Sequence, residues 1–319
     1  MNNDAAGAMA QRVAAAWGAL DGVPRLIRNR ENIVFEALFT DGRRAALRLH
    51  RAGYQTTQAI EAELIWTERL AEAGFPCALP LRCLNGDLVC VTDGVAASVV
   101  TWIDADGIGE NDVTYDGNEA AHCALYRDVG RLIRALHEAT DAMDTGDITR
   151  PSWEREALLG DAPLWGRFWE NPSLTSTEVD ELQAARARAK EHLTRLDPAV
   201  GLIHADLLQE NILQNGAGLW LIDFDDSGLG YRGYDLGTAL IQHAELAYLP
   251  ALEAALCDGY GADAALRDAV PLYVMLRSMA SCGWIMSRAP ATDPRQRFYA
   301  QRALTCARRY AQTTTSISA

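Results

Sequence analysis

The sequence predicts an α+β chain of two lobes: a small antiparallel sheet crossed by one helix, then a larger and mainly helical part. Three observations carry this expectation. Short alternating apolar segments separated by turn signals crowd the first third of the chain, and long segments with helical apolar spacing dominate the rest. At 319 residues the chain is also long enough to build two cores.

The elements follow in order. From about Ala5 to Leu20 the chain is rich in Ala, with Met9, Val13, Ala16 and Leu20 at helical spacing, which predicts an opening helix. Ile33 to Phe39 and Ala45 to Leu49 read as strands, and Thr40-Asp41-Gly42 between them contains the Asp-Gly step favoured in hairpin turns. Thr57 to Ala73 is helical by the spacing of Ile60, Leu64, Ile65 and Leu70, and stops at Gly74 ahead of Pro76. Leu81 to Leu84, Leu88 to Val91 and Ala97 to Trp102 then complete a sheet of about five short strands, with a turn at Asn85-Gly86-Asp87. The first lobe is therefore expected to span residues 1–102 and the second residues 103–319. Amphipathic runs from Glu119 to Thr140 and from Thr177 to Arg195 predict helices in the second lobe. One β-hairpin interrupts them, with strand-like Leu202 to His204, Asn211 to Leu213 and Leu219 to Phe224 and a turn at Asn215 to Gly218. From Leu236 to about Tyr310 the pattern is helical again, and the polar tail Gln312 to Ser318 is expected to fray.

Composition narrows the function classes. No run of about 18 uncharged apolar residues and no basic-then-apolar leader is visible, so the chain is expected to be cytoplasmic and off the membrane. The seven cysteines are odd in number and scattered without a C-x-x-C pair, which reads as reduced small hydrophobes and not as a zinc site. A net charge of −14 argues against nucleic acid as a partner, and any polyphosphate ligand must meet positive charge concentrated locally.

The sharpest chemical feature is Gly201 to Leu213, GLIHADLLQENIL, followed by Leu221 to Asp226, LIDFDD. Phosphoryl transfer needs a carboxylate to orient the acceptor hydroxyl and oxygen ligands to hold Mg²⁺ against the phosphates. Asp206, Asn211 and Asp223 supply that set, each at the end of an apolar strand. The competing reading makes them turn and cap residues of a hairpin, which Asp and Asn often are.

With these residues in view, the His-x-Asp-x-x-x-x-Asn loop, Ile222-Asp223-Phe224-Asp225-Asp226 and Tyr234-Asp235-Leu236 resemble the aminoglycoside phosphotransferase and homoserine or choline kinase-like superfamily over nearly the whole chain. The resemblance implies a bilobal protein-kinase-like fold with an N-terminal ATP-binding lobe and a C-terminal catalytic and acceptor-binding lobe. It implies transfer of the γ-phosphoryl group of Mg-ATP to a hydroxyl of a small molecule such as an aminoglycoside, an amino alcohol or a homoserine-like amino acid. Asp206 would then be the catalytic base, Asn211 and Asp223 the Mg²⁺ ligands, and Asp235 a brace for the loop.

Asn29 to Phe35 resembles the family's segment over the ATP phosphates, where backbone N–H groups with Asn29 or Asn32 would serve. Arg48 stands where the family has a lysine on the α- and β-phosphates, with Glu63 as its partner; an outward-facing surface arginine is the alternative. Ser98 to Ile103 matches the hinge that holds adenine, here through the backbone at Thr101 and Ile103. His204 is expected to orient the loop and His137 is given no chemistry. Asp225 and Asp226 are open between structural and ligand-contacting roles, and Tyr231, Tyr234, Trp284 and Arg288 are candidates for the acceptor pocket. Two other functions stay in view. Leu47 to Arg51 and the Asp-Phe-Asp-Asp variant also resemble bacterial stress-response serine/threonine kinases, and arginine in place of lysine suggests a nucleotide-binding pseudokinase scaffold, against which the retained Asp206 argues.

Overall fold

The structure is a computed structural model that describes residues 1–29, 32–110, 115 and 117–317. It divides into two compact units, the first made of Met1–Asp106, Ala142–Arg150 and Gln214–Asp225 and the second of Gly107–Asp141, Pro151–Leu213 and Asp226–Ala319.

The first unit opens with helix α1 (Asn3–Ala14), whose N-terminus is capped by the Asn2 side chain accepting from the Ala5 N–H. The helix ends well before Leu20 because Trp17 turns into the core and Leu20 forms a β-bridge with Phe39. Strands β1 (Arg25–Asn29), β2 (Ile33–Leu38) and β3 (Arg44–Leu49), helix α2 (Thr57–Glu72), and strands β4 (Pro80–Leu81), β5 (Cys90–Thr92) and β6 (Val95–Thr101) follow. The sheet order is β1-β2-β3-β6-β4, with β5 also on β6. Strand β1 lacks a sequence signal because four of its five residues are exposed and no alternation marks it. The β2–β3 turn needs Gly42, whose φ of 88° is a left-handed conformation that glycine adopts without a Cβ clash.

Period-two alternation sorts the two faces of this sheet. Phe35, Ala45, Leu47 and Leu49 bury against Met9, Val13 and Trp17 in one core, while Ile60 and Leu64 of α2 pack with Leu88, Val89, Ala96 and Val100 on the other face. Arg48 pairs in register with Val34 on one side and Ser98 on the other, so it sits mid-sheet on the α2-covered face.

The second unit runs from β7 (Asp106–Gly107) into α3 (Glu119–Asp141), β8 (Ser152–Trp153), α4 (Arg155–Leu159), α5 (Ser176–Leu196) and β9 (Val200–Ile203). A hairpin of β10 (Ile212–Asn215) and β11 (Gly218–Leu221) follows, its residues from Gln214 on belonging to the first unit, and the second unit resumes with β12 (Gly228–Tyr231), α6 (Arg232–Leu240), α7 (Leu249–Tyr260), α8 (Ala264–Trp284) and α9 (Pro294–Ile317). Strand β12 pairs antiparallel with β9 and parallel with β8, and its Gly-rich sequence hid it from pattern reading. Helix α5 starts with a capping box between Thr175 and Glu178. Helices α3 and α7 approach so closely that a Cβ on Gly130 would lie 2.2 Å from the Leu256 carbonyl oxygen. The last helix continues to Ile317, where the polar tail was expected to fray. One segment, Ala264–Ser287, is long and apolar enough to cross a membrane, and burial of 83% of that window within the protein accounts for its composition.

Candidate active site

The first unit gathers charge around Arg48. Its Nη1 donates to Glu63 Oε1 at 3.2 Å and its Nη2 lies 3.1 Å from Asp223 Oδ1, with the arginine side chain only 18% exposed. The outward-facing alternative for Arg48 is thereby excluded. Glu63 comes from α2, one turn after Ile60 anchors that helix on the sheet. Asp223 is delivered by the chain after β11, which is tied down by the Leu221 N–H on the Pro76 carbonyl and by Phe224 edge-on to Trp66.

Asp223 has a φ of 64°, a left-handed conformation that is strained for a residue with a Cβ. The following residues are pinned hard. Gln55 Nε2 donates to the Asp225 carbonyl at 2.9 Å, and the Arg150 guanidinium donates to the carbonyls of Ala59, Phe224 and Asp225. The buried Asp225 carboxylate accepts from Asn32 Nδ2 at 3.2 Å. Burial pushes Glu63 up to about 7, with Arg48 pulling the other way, and burial likewise raises Asp225.

These carboxylates fit a divalent cation. Among the described residues, Asp223 Oδ1 and Asp225 Oδ1 are shielded from solvent and accept no hydrogen bond, the contact of Asp223 with Arg48 being ionic only. Unsatisfied buried carboxylate oxygens are costly, and a hard cation with oxygen ligands relieves that cost. Among the described residues no three His, Cys, Asp or Glu side chains form a ready cage, so a metal here would complete its shell with amide, phosphate or water oxygens.

The second unit holds the Asp206 loop. Asp235, fully buried at the start of α6, accepts the His204 N–H at 3.0 Å, the Ala205 N–H at 2.8 Å and His137 Nε2 at 3.0 Å. Burial raises the Asp235 pKa, but the His137 hydrogen bond and the other donors outweigh it and hold the carboxyl below its usual range. This clamp holds Ala205 at a φ of 64°, the sharp turn that presents Asp206. His204 Nδ1 accepts the Asp206 N–H at 3.3 Å, and His137 Nδ1 meets the Tyr260 hydroxyl at 2.9 Å, so both histidines position the loop.

The Asp206 carboxylate is gripped on both oxygens. Asn211 Nδ2 donates to Oδ2 at 3.0 Å and to the Asp206 carbonyl at 2.9 Å, which leaves the Asn211 amide oxygen available to a ligand. Arg277 Nη2 donates to Oδ1 at 2.7 Å.

Other expected residues are placed differently. Asn29 donates to Asn3 Oδ1 at 2.7 Å, and Asn32 is divided between Asp225 and the Arg51 N–H, so both side chains hold the protein together instead of lying open to a phosphate. Arg30 and Glu31, between them, lie outside the described residues. The Thr101 N–H donates to the Leu79 carbonyl, its hydroxyl accepts the Leu79 N–H, and the Ile103 carbonyl accepts the Ala105 N–H. Trp102 packs under Arg44, 4.6 Å from its ring centroid. Tyr231 accepts the Arg155 N–H, Tyr234 is fully buried, and Arg288 lies 5.6 Å over Trp284. Arg150 and Arg277 escaped the sequence reading, since a lone arginine in a loop or an apolar helix carries no local signal of what it will pair with.

Residues 23–273 match the model of the phosphotransferase enzyme family. A homoserine kinase of Sinorhizobium medicae is 30% identical over 177 residues, which are 54% of this chain and 48% of that protein. An amicoumacin kinase of Bacillus subtilis is 26% identical over 230 residues, 71% of this chain and 65% of that one. The chain thus spans about half the length of the curated homoserine kinases it matches. Among solved structures, a microcompartment-associated aminopropanol kinase superposes with a TM-score of 0.83 at 24% identity, covering 96% of this chain and 98% of that chain. An amicoumacin kinase in complex with AMP-PNP, Ca²⁺ and Ami superposes with a TM-score of 0.74 at 16% identity, covering 95% and 96%. These likenesses establish a shared kinase-like α+β fold. With the family model matched over well more than half of its length, the chain belongs to the phosphotransferase enzyme family.

Proposed function

We propose that this protein is an ATP-dependent kinase of a small molecule, moving the γ-phosphoryl group of Mg-ATP to an acceptor hydroxyl. The observation that carries this reading is the Asp206 carboxylate, held on both oxygens in a loop that Asp235 clamps from beneath. A carboxylate fixed in this way can orient an acceptor hydroxyl and receive its proton as the oxygen attacks in line.

Arg48, held between Glu63 and Asp223, is the proposed contact to the α- and β-phosphates, and its permanent charge supplies local cation in an acidic protein. With the Asn29 and Asn32 side chains engaged elsewhere, backbone N–H groups near Asn32 are the proposed phosphate donors. Adenine is proposed to meet the backbone of Thr101 to Ile103 through groups other than the Thr101 N–H and the Ile103 carbonyl, which are bonded within the protein. Asp223 and the Asn211 amide oxygen are the proposed Mg²⁺ ligands, with Asp225 backing Asp223 through the same segment of chain. When bound, the metal neutralises charge on the transferring phosphates. On this reading residues 1–102 bind nucleotide and residues 103–319 carry the base and the acceptor.

The test is ADP release by the purified chain with Mg-ATP and a panel of hydroxylated metabolites, run for wild type and Asp206→Ala. Turnover with at least one acceptor is expected in wild type and none in the variant, with ATP binding retained in both. Equal turnover in the two proteins removes Asp206 from the reaction.

A further inference from the structure

Arg277 of α8 is 95% buried by its side chain, and one part of its guanidinium goes unused. Nη2 donates to Asp206 Oδ1 at 2.7 Å and Nη1 to Ser281 Oγ at 2.9 Å, with the side chain 5% exposed. Its Nε–H is shielded from water and meets no acceptor among the described residues. A second buried donor, the hydroxyl of fully buried Tyr234, is also without a partner among the described residues, and Tyr234 lies within electrostatic range of Arg277, Asp206 and Asp226. A buried donor left unsatisfied is costly, so two of them near Asp206 suit an acceptor group that a ligand brings.

Aromatic rings flank this point. Trp153 stacks on Tyr234 at 5.5 Å, Trp165 meets Trp153 at 4.8 Å, and Trp284 lies 6.5 Å from Trp165 and 5.9 Å from Tyr299. Such rings commonly hold a ligand cation on their faces. Here the Arg277 guanidinium already lies over Trp165, 4.8 Å from the ring centroid. An ammonium brought there would add a second cation and offers no acceptor to the Arg277 Nε–H or the Tyr234 hydroxyl, whereas a carboxylate can accept from both.

We propose that Arg277, with Tyr234 beside it, reads an acidic group on the acceptor, so that the substrate class is a hydroxy acid, hydroxy amino acids included, and not a plain amino alcohol. The inference rests on the phosphotransferase reading of the Asp206 loop. An amino group on the same molecule is compatible with it, because Asp226 belongs to the same electrostatic neighbourhood.

Three matched pairs differ only by a carboxylate: serine and ethanolamine, threonine and 1-aminopropan-2-ol, homoserine and 3-aminopropan-1-ol. ADP release with Mg-ATP gives kcat/KM for each, in wild type, Arg277→Lys, Arg277→Met and Tyr234→Phe. Because Arg277 also grips Asp206, the ratio within a pair is read, not the absolute rate. The acid of at least one pair is expected to exceed its amino alcohol by about tenfold or more, roughly 1.4 kcal/mol of barrier. Arg277→Lys should keep part of that ratio, Arg277→Met should abolish it, and Tyr234→Phe should lower it several-fold without lowering the melting temperature. Amino alcohols used as well as or better than the acids in every pair, or an unchanged ratio in Arg277→Met, overturns the proposal. Absence of all turnover defeats the phosphotransferase reading alone, and thermal stabilisation by the same compounds then decides the Arg277 inference. Stabilisation by an acid but not by its amino alcohol, lost in Arg277→Met, upholds it; equal or absent stabilisation overturns it.

Discussion

Replacing Asp235 by asparagine preserves the volume of a fully buried side chain and turns one oxygen into an amide nitrogen. If the amide oxygen takes the Oδ2 position, it keeps the His204 N–H and His137 Nε2, but the new NH₂ faces the Ala205 N–H across the 2.8 Å now bridged by a hydrogen bond. The opposite rotamer loses two bonds instead of one. Either way a buried backbone donor goes unpaired at a cost of about 1–3 kcal/mol, and a charge-assisted bond is lost. The bond at risk also holds Ala205 in its left-handed turn at φ 64°, a conformation that costs about 1–2 kcal/mol for a residue with a Cβ. We expect Asp235→Asn to destabilise the protein by roughly 2–4 kcal/mol, a fall in Tm on the order of 3–6 °C for a chain of 319 residues. Thermal melting followed by circular dichroism measures it without knowledge of the acceptor. Because the folded carboxyl is held below its usual range, its contribution is fully present above the unfolded pKa near 3.8 and is lost only as pH falls through the folded value. The penalty should therefore be flat from about pH 8 to pH 5. A fall in Tm under about 2 °C, or a penalty that has gone by pH 6, would refute the clamp.

Three further outcomes are expected. Arg48→Lys should retain activity within about tenfold of wild type, roughly 1.4 kcal/mol of barrier, since one ammonium can still lie between Glu63 and Asp223; a much larger loss in kcat/KM would show that the two-nitrogen fork is required. Burial raises Glu63 from 4.5 to about 7, so its protonated form is favoured in the fold and its contribution, present below pH 4.5, is lost as pH rises towards 7. In metal-free buffer the stability of wild type relative to Glu63→Gln should accordingly fall by up to about 3 kcal/mol between pH 5 and 8, and a difference in urea midpoints that stays constant over that range contradicts it. Gly130→Ala should lower the urea midpoint by the equivalent of about 1–3 kcal/mol despite the better helix propensity of alanine, because the new Cβ would sit 2.2 Å from the Leu256 carbonyl oxygen; an unchanged midpoint would mean that α3 and α7 can part without cost.

Helices α2, α3 and α5 and the β2–β3 hairpin were legible in the sequence to within a residue or two at most ends. Their signals are local, a period of 3.6 or 2.0 closed by a cap or an Asp-Gly turn. Strands β1 and β12 were not, one being exposed and the other glycine-rich, and both exist because a neighbouring strand supplies their hydrogen bonds. The Asp206 loop and its Asn211, together with Asp223, stood out because they fall at fixed offsets beside apolar strands. The side chains of Asn29 and Asn32 could not be read in that way: each found a partner, Asn3 and Asp225, that no spacing rule names.

Local pattern by itself determined most of the elements and singled out polar groups of the kind that phosphoryl transfer needs. The tertiary structure alone decided which of those groups are already engaged and which stay open. Asn32 reaches Asp225 across 193 residues of chain and Arg277 reaches Asp206 across 71. A buried charge must find an opposite charge or a hydrogen-bond partner wherever the fold brings one, and that partner is chosen by packing, not by sequence distance.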